Sequence, residues 1–435
     1  MTLDLVQEVK QKLDLVEVIS NHLELKPSGP NRQVGFCPFH TNINTPALTV
    51  YPEQQSWYCY GCQAGGDVLD FLTLIEKENM GTVLRKQAQK LGIVIRNLSH
   101  KERRKLEKDK RLYAVTKDAA DLFHLMFLWD TRGASARKYM EQRGLTNETV
   151  IAFQIGYAPD DWGWITRKLL KKGHTREDII LAGLARKKRG KDSAYDYFRD
   201  RIIFPIQNNG DILGFGGRQL NPGQGPKYLN SPTTPIFKKQ EILYGFPQAL
   251  FWIKSVQSVT LVEGYMDVLA LHQQGFHNTV GIMGIFLSET QAKFLSKHVK
   301  RAVLALDPDE AAEAALGRLR VEALSELDVY IAVLQGTRDP DKVVLENSAE
   351  WDDILAEAQP IPIYMTDYLI DKFTPNDPKE RRDVARMVMP LINIVKDPFE
   401  QVGYQEYLAD ALGYTNYRPN PKCPHCGKPY YGEHK

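Results

Sequence analysis

Four residues near the N-terminus, Cys37, His40, Cys59 and Cys62, stand in the spacing C-x2-H-x18-C-x2-C and take three of the chain's five cysteines. Thiolate and imidazole donors paired two residues apart suit one tetrahedral zinc ion, each pair reaching the metal from a tight turn. Between the pairs, Ala47 to Tyr51 and Gln55 to Tyr58 read as two strands joined by a polar turn at Pro52-Glu53-Gln54. Gly61, Gly65 and Gly66 give the backbone freedom to turn around a metal. A disulfide framework is disfavoured, because no secretory signal pattern opens the sequence and a histidine stands where a fourth cysteine would be needed.

At 435 residues the chain has length for about three domains, and its 43% hydrophobic content is ample for real cores. No apolar run is long enough to cross a bilayer, and the opening residues MTLDLVQEVKQKLDLVEVIS form an amphipathic helix pattern with acids interspersed. The reading is a soluble, cytoplasmic, monomeric protein with no membrane partner. The formal net charge of +2 says little as a sum, but its distribution does: Lys101 to Arg111 (KERRKLEKDKR) and Arg186 to Lys191 (RKKRGK) concentrate positive charge. Such runs meet phosphates, or are a solvated linker and a solvated loop.

Pattern divides the chain further. Residues 1–98 hold an entry helix, the zinc cluster and a helical tail, and 99–115 read as a charged linker or the start of a connecting helix. Residues 116–255 are helical at first, then turn to strands. There Arg201 to Ile206 and Ile212 to Arg218 form a hairpin around Asn208-Asn209-Gly210-Asp211. Residues 256–346 alternate strand and helix, at Val259 to Glu263, Tyr265 to Gln274, Thr279 to Met283, Ser288 to His298, Arg301 to Leu306 and Asp328 to Leu334. That alternation predicts a parallel doubly wound sheet. Residues 347–413 are helical, and 414–435 form a proline-rich tail.

In a parallel sheet ligands sit beyond the carboxyl ends of the strands, where Glu263, Asp307 and Asp309 would emerge, with Asp339 and Asp341 following later. Convergence of these acids would make a magnesium site, since the ion takes hard oxygen donors and keeps several waters. Two such ions about 4 Å apart can activate an attacking hydroxyl and stabilise a leaving pyrophosphate. Each acid taken alone could equally cap the helix that follows its strand.

Val262-Glu263-Gly264-Tyr265-Met266-Asp267-Val268, then Leu306-Asp307-Pro308-Asp309, then Arg338-Asp339-Pro340-Asp341 together resemble the Toprim domain of bacterial DnaG-type primases. The zinc cluster resembles that family's N-terminal zinc-binding domain. Arg201 to Ile206, Gly214 to Arg218 and Pro226 to Pro232 resemble the basic half of its RNA polymerase domain. The helix around Tyr407 to Gly413 resembles the close of that core. The resemblance implies a multidomain α+β protein: a zinc ribbon, an α+β basic part, a Toprim α/β domain and a helical subdomain.

It also implies a DNA primase, which makes short RNA primers on a single-stranded DNA template from ribonucleoside triphosphates, using structural Zn2+ and catalytic Mg2+ or Mn2+. Glu263, Asp307 and Asp309 would be catalytic and, with Asp341, hold the catalytic ion; Asp267 and Asp339 would support them. Arg201, Arg218, Lys227 and Lys239 would face nucleotide phosphates or the template. Trp57 and Tyr58 would stack on template bases or pack around the metal.

Two departures stand out. The run Asp307-Pro308-Asp309-Glu310-Ala311-Ala312 has proline between its acids and alanine where the family has glycine. This predicts activity with an altered setting of Asp307 and an altered metal preference. After Gly413 only 22 residues follow (414–435), in place of the family's helicase-binding domain. Weak coupling to a replicative helicase is the expectation. Cys423-Pro424-His425-Cys426 could share a metal with His434 or another subunit, be half of a site, or be two reduced thiols. The competing readings are a Toprim strand-cleaving enzyme and a silenced nucleic-acid-binding protein.

Overall fold

The computed structural model describes residues 3–29, 31–41, 45–93, 100–188, 193–221, 223, 225–284, 287–306, 326–334 and 339–414. By contacts the chain divides into two compact units, Met1–Ser255 with Gly275–His277, and Val256–Gln274 with Asn278–Lys435.

The first unit opens with helices α1 (Leu3–Lys12) and α2 (Leu15–Ser20). An antiparallel sheet follows, of β1 (Lys26–Pro27), β2 (Gln33–Gly35), β3 (Leu48–Tyr51), β4 (Ser56–Cys59) and β5 (Gly65–Gly66), in that spatial order. Helices α3 (Val68–Glu76) and α4 (Met80–Lys90) complete this module. Its core joins Leu15, Ile19, Leu48, Val50, Trp57, Phe71 and Val83. Asp67 starts α3 in a reciprocal capping box with Asp70, satisfying amides that the first helical turn would leave open.

The charged run at 101–111 is no break in the chain: it forms the first turns of the 30-residue helix α5 (His100–Trp129). Next come α6 (Ala134–Gln142), α7 (Asn147–Ala152), β6 (Gly156–Ala158), α8 (Trp164–Lys171), α9 (Arg176–Leu181), β7 (Ala185–Lys187) and β8 (Ala194–Asp196). Then β9 (Arg201–Asn208), β10 (Asp211–Gln219) and β11 (Tyr228–Asn230) form a sheet in the order β11-β10-β9-β6. The expected hairpin is β9–β10, and its two turn residues Asn209 and Gly210 have φ of +48° and +79°, the left-handed pair that matches strand twist. Helix α10 (Phe246–Val256) closes the unit.

The second unit holds β12 (Ser258–Val262), α11 (Tyr265–Gln273), β13 (Thr279–Gly281), α12 (Glu289–Leu295), β14 (Arg301–Leu306) and β15 (Asp328–Val333). After them come α13 (Pro340–Glu346), α14 (Ser348–Ala356), β16 (Gln359–Pro360), α15 (Ile361–Phe373), α16 (Pro378–Asn393) and α17 (Pro398–Ala411). The sheet order is β13-β12-β14-β15-β16, with the first four strands parallel. The short antiparallel edge β16 was not legible in sequence, because two residues, one a proline, carry no strand signal. No helix among the described residues is long and apolar enough to cross a membrane.

Candidate functional site

The four predicted zinc donors come together. One ligand atom each from Cys37, His40, Cys59 and Cys62 lies within 4.8 Å of the others. Cys37 Sγ is 3.8 Å from Cys62 Sγ, and Cys59 Sγ is 3.7 Å from His40 Nδ1. Donors about 2.3 Å from a tetrahedral ion stand roughly 3.8 Å apart, so the set is already spaced for zinc. The Phe39 N–H donates to Cys37 Sγ at 3.5 Å and the Gly61 N–H to Cys59 Sγ at 3.4 Å, turning each knuckle around its sulfur. A Cβ on Gly61 would lie 2.4 Å from His40 Nε2, so only glycine lets the imidazole approach. Within the cluster, hydrogen bonds from Cys37 and Cys62 hold Cys59 down as the thiolate, and the contact with Cys59 pushes Cys37 up.

The two readings left open for Trp57 and Tyr58 resolve to packing. Trp57 is fully buried, donates its indole N–H to the Asp67 carbonyl at 3.1 Å, and meets Phe71 edge-on. Tyr58, 3% exposed, points to the opposite sheet face and stacks on Phe251 of α10 at 4.8 Å. Base stacking by this pair is therefore corrected: β4 is covered on both faces. The exposed rings of this module are Phe36 at 47% and Tyr60 at 56%, each one residue from a zinc ligand. Sequence reasoning missed both, although an aromatic flanking a ligand cysteine was the available signal.

Arg201 also departs from expectation. It is buried, and its Nη1 donates to the carbonyls of Gly217 (3.0 Å) and Pro226 (2.9 Å), bracing the segment after β10. Burial pulls its guanidinium below the ordinary value. Arg218 is half-buried between the rings of Tyr139 and Tyr228, with its charge over both and a hydrogen bond to the Tyr228 hydroxyl. Lys227 is exposed beside Tyr228, and Lys239 is half-buried with its ammonium pulled down by desolvation.

In the second unit, Glu263 directly follows β12 and is half-buried. Asp267 lies in the first turn of α11, accepting from the Gly264 N–H at 3.1 Å and from the Asp341 N–H at 3.3 Å. Asp341, 2% exposed, is in the first turn of α13. Asp339 is that helix's N-cap residue and pairs with Lys342 at 3.6 Å in solvent. Asp267 thus links the turn just after Glu263, where β12 ends, to the first turn of the helix that carries Asp341. Asp307, Asp309, Pro308 and Ala312 lie outside the described residues, as do Arg338 and the tail cysteines Cys423 and Cys426. Strand β14, which precedes Asp307, runs parallel to β12 with Leu304 opposite Leu261, so it finishes at the same sheet edge. A hard divalent ion fits such a carboxylate edge.

Residues 1–103 match the CHC2 zinc finger family, 123–250 the DNA primase catalytic core N-terminal domain, and 260–344 the Toprim-like family. A DNA primase of Clostridium acetobutylicum is 34% identical over 419 residues, covering 94% of this chain and 68% of that one. A DNA primase of Halalkalibacterium halodurans is 34% identical over 347 residues, covering 79% and 57%. This chain thus spans from little over half to about two thirds of those relatives. The Aquifex aeolicus primase, solved as its zinc binding and RNA polymerase domains, superposes with a TM-score of 0.62 at 26% identity, covering 94% and 97%. A DnaG primase catalytic domain bound to ssDNA superposes at 0.63 and 29%, covering 71% and 98%.

Fold and donor sets define a zinc-ribbon protein with a Toprim-type acidic sheet edge, carrying one structural Zn2+ and suited to catalytic Mg2+ or Mn2+. With similarity running over nearly its whole length, the chain belongs to the bacterial DnaG-type DNA primase family.

Proposed function

We propose that this chain is a DNA primase, joining ribonucleoside triphosphates into short RNA primers on single-stranded DNA in the bacterial cytoplasm. The observation that carries the reading is the sheet edge where Glu263 follows β12 and the Asp267 carboxylate ties that turn to the helix carrying Asp341, in a chain that also holds the CHC2 cluster. Glu263 acts as ligand or general base; Asp307, Asp309 and Asp341 complete the donor set, with Asp339 supporting them at the rim. Bound there, Mg2+ or Mn2+ supplies the charge that activates the primer hydroxyl and stabilises the leaving pyrophosphate.

Arg218 and Lys227 face phosphate, and Lys239, whose ammonium desolvation has already depressed, gains from an anion beside it. Phe36 and Tyr60 take the base-stacking role on the zinc module. None of the family matches and nothing among the described residues favours the strand-cleaving or silenced alternatives.

The test is primer synthesis by the purified chain on single-stranded DNA with all four ribonucleoside triphosphates. Labelled RNA should appear, and Glu263→Ala should lower its rate by roughly 10²-fold or more. Nicked DNA without nucleotide incorporation would support the strand-cleaving reading. DNA binding without product would support the silenced one.

A further inference from the structure

We propose that Asp267 is a positioning residue rather than a metal ligand: its carboxylate is a brace between the turn behind Glu263 and the helix that carries Asp341. This deepens the primase reading and rests on it for the identity of the metal edge. Asp267 is 7% exposed, and its two oxygens face two different segments. Oδ2 accepts from the N–H of Gly264, the residue immediately after Glu263, at 3.1 Å. Oδ1 accepts from the N–H of Asp341, 74 residues away, at 3.3 Å.

A third observation fits the same role. A Cβ on residue 264 would lie 2.6 Å from Asp267 Oδ2, so the brace closes at this length only over glycine. Both oxygens are thus engaged by backbone amides, one from each segment. The site has reason to need such a brace, because acids gathered at one edge repel until a cation arrives. Tying the backbone at Gly264 to the backbone at Asp341 holds Glu263 and Asp341 at a fixed separation. A carboxylate in the first turn of α11 is also favoured by the helix dipole.

The experiment compares full-length wild type, Asp267→Asn and Gly264→Ala by amide hydrogen exchange at Gly264 and Asp341, by Mn2+ stoichiometry from electron paramagnetic resonance, and by the Mn2+ dependence of primer synthesis. Asn replaces one acceptor oxygen with a donor, and Ala pushes the brace apart. Both variants should speed exchange at these amides by about tenfold. Both should keep the wild-type number of bound Mn2+ ions. Their Mn2+ half-saturation should rise roughly 10–100-fold, with the maximal rate largely recovered at excess ion.

A lost Mn2+ equivalent in Asp267→Asn, with no rescue at excess ion, would make Asp267 a ligand and overturn the proposal. An unchanged half-saturation despite faster exchange would reduce it to an ordinary helix cap and overturn it equally. If wild type made no primers, the functional reading would fall, while exchange and Mn2+ binding would still decide the brace.

Discussion

The zinc donors arrive as two pairs, each pair two residues apart on one knuckle, and the whole set spans 26 residues from Cys37 to Cys62. The acids of the second unit come from the end of β12, the first turn of α11 and the first turn of α13, with Asp267 and Asp341 alone 74 residues apart. In the first region a short motif is the site, and the local fold forms around it. In the second the parallel sheet makes the site, and a motif marks only where each strand stops. The two regions should therefore fail differently. Loss of a zinc donor should cost structure, and loss of an edge acid should cost chemistry.

The largest effect tests the first half of that contrast. Removing zinc with a chelator, or replacing Cys59 by Ser, should unfold residues 3–93 while the β9–β10 sheet keeps its protection. Structural zinc contributes on the order of 10 kcal/mol of binding free energy coupled to folding. Hydrogen exchange resolved by segment is the measurement. Retained protection at the Val50 and Trp57 amides after zinc removal would show that the Trp57–Phe71 core holds the module by itself, and the contrast between the regions would break.

What could be read in advance follows the same division. The ligand spacing, the β9–β10 hairpin with its Asn-Gly turn and the strand–helix alternation are local signals, and each appears in the fold. The partners of Trp57, Tyr58 and Arg201 are not local. Alternation along β4 sends Trp57 to Phe71 and Tyr58 to Phe251, and only the arrival of α10, nearly 200 residues later, decides that the second face is covered. Arg201 is claimed by the carbonyls of Gly217 and Pro226, which no basic-residue count foretells. At the acidic edge, the Asp267 carboxylate accepts from the amide before its own helix and from the Asp341 amide 74 residues away, a pairing that no local signal foretells.

A smaller effect sharpens the difference between packed and exposed aromatics within the zinc module itself. Trp57→Ala should destabilise the module by about 3–5 kcal/mol, since it opens a cavity against Phe39 and Phe71. Phe36→Ala should shift stability by no more than about 0.5 kcal/mol and weaken binding to a fluorescent oligo-dT by roughly 1–3 kcal/mol. Paired melting and anisotropy measurements separate the two. Trp57→Ala with normal melting and lost DNA binding would return the stacking role to the buried ring.

A separate effect is a pH dependence within the same module, at Asp70. Its carboxyl is pushed up to about 7, first by burial and then by repulsion from Asp67, against the partial relief of the Asp67 N–H, Lys10 and Lys254. A carboxyl raised in the folded state favours folding in its protonated form. Its stability contribution is therefore complete below the unfolded value near 4 and is lost as pH rises to about 7, with no further change above. Asp70→Asn keeps an oxygen to accept from the Asp67 N–H, which Asp70 Oδ2 holds at 2.9 Å, but does not ionise. With zinc saturating, the melting temperature of Asp70→Asn minus that of wild type should climb between pH 5 and 7 and then level off. Taking the difference cancels the titration of the zinc ligands, which both proteins share. A flat difference across that range would mean that Lys10 and Lys254 already neutralise Asp70 in the fold.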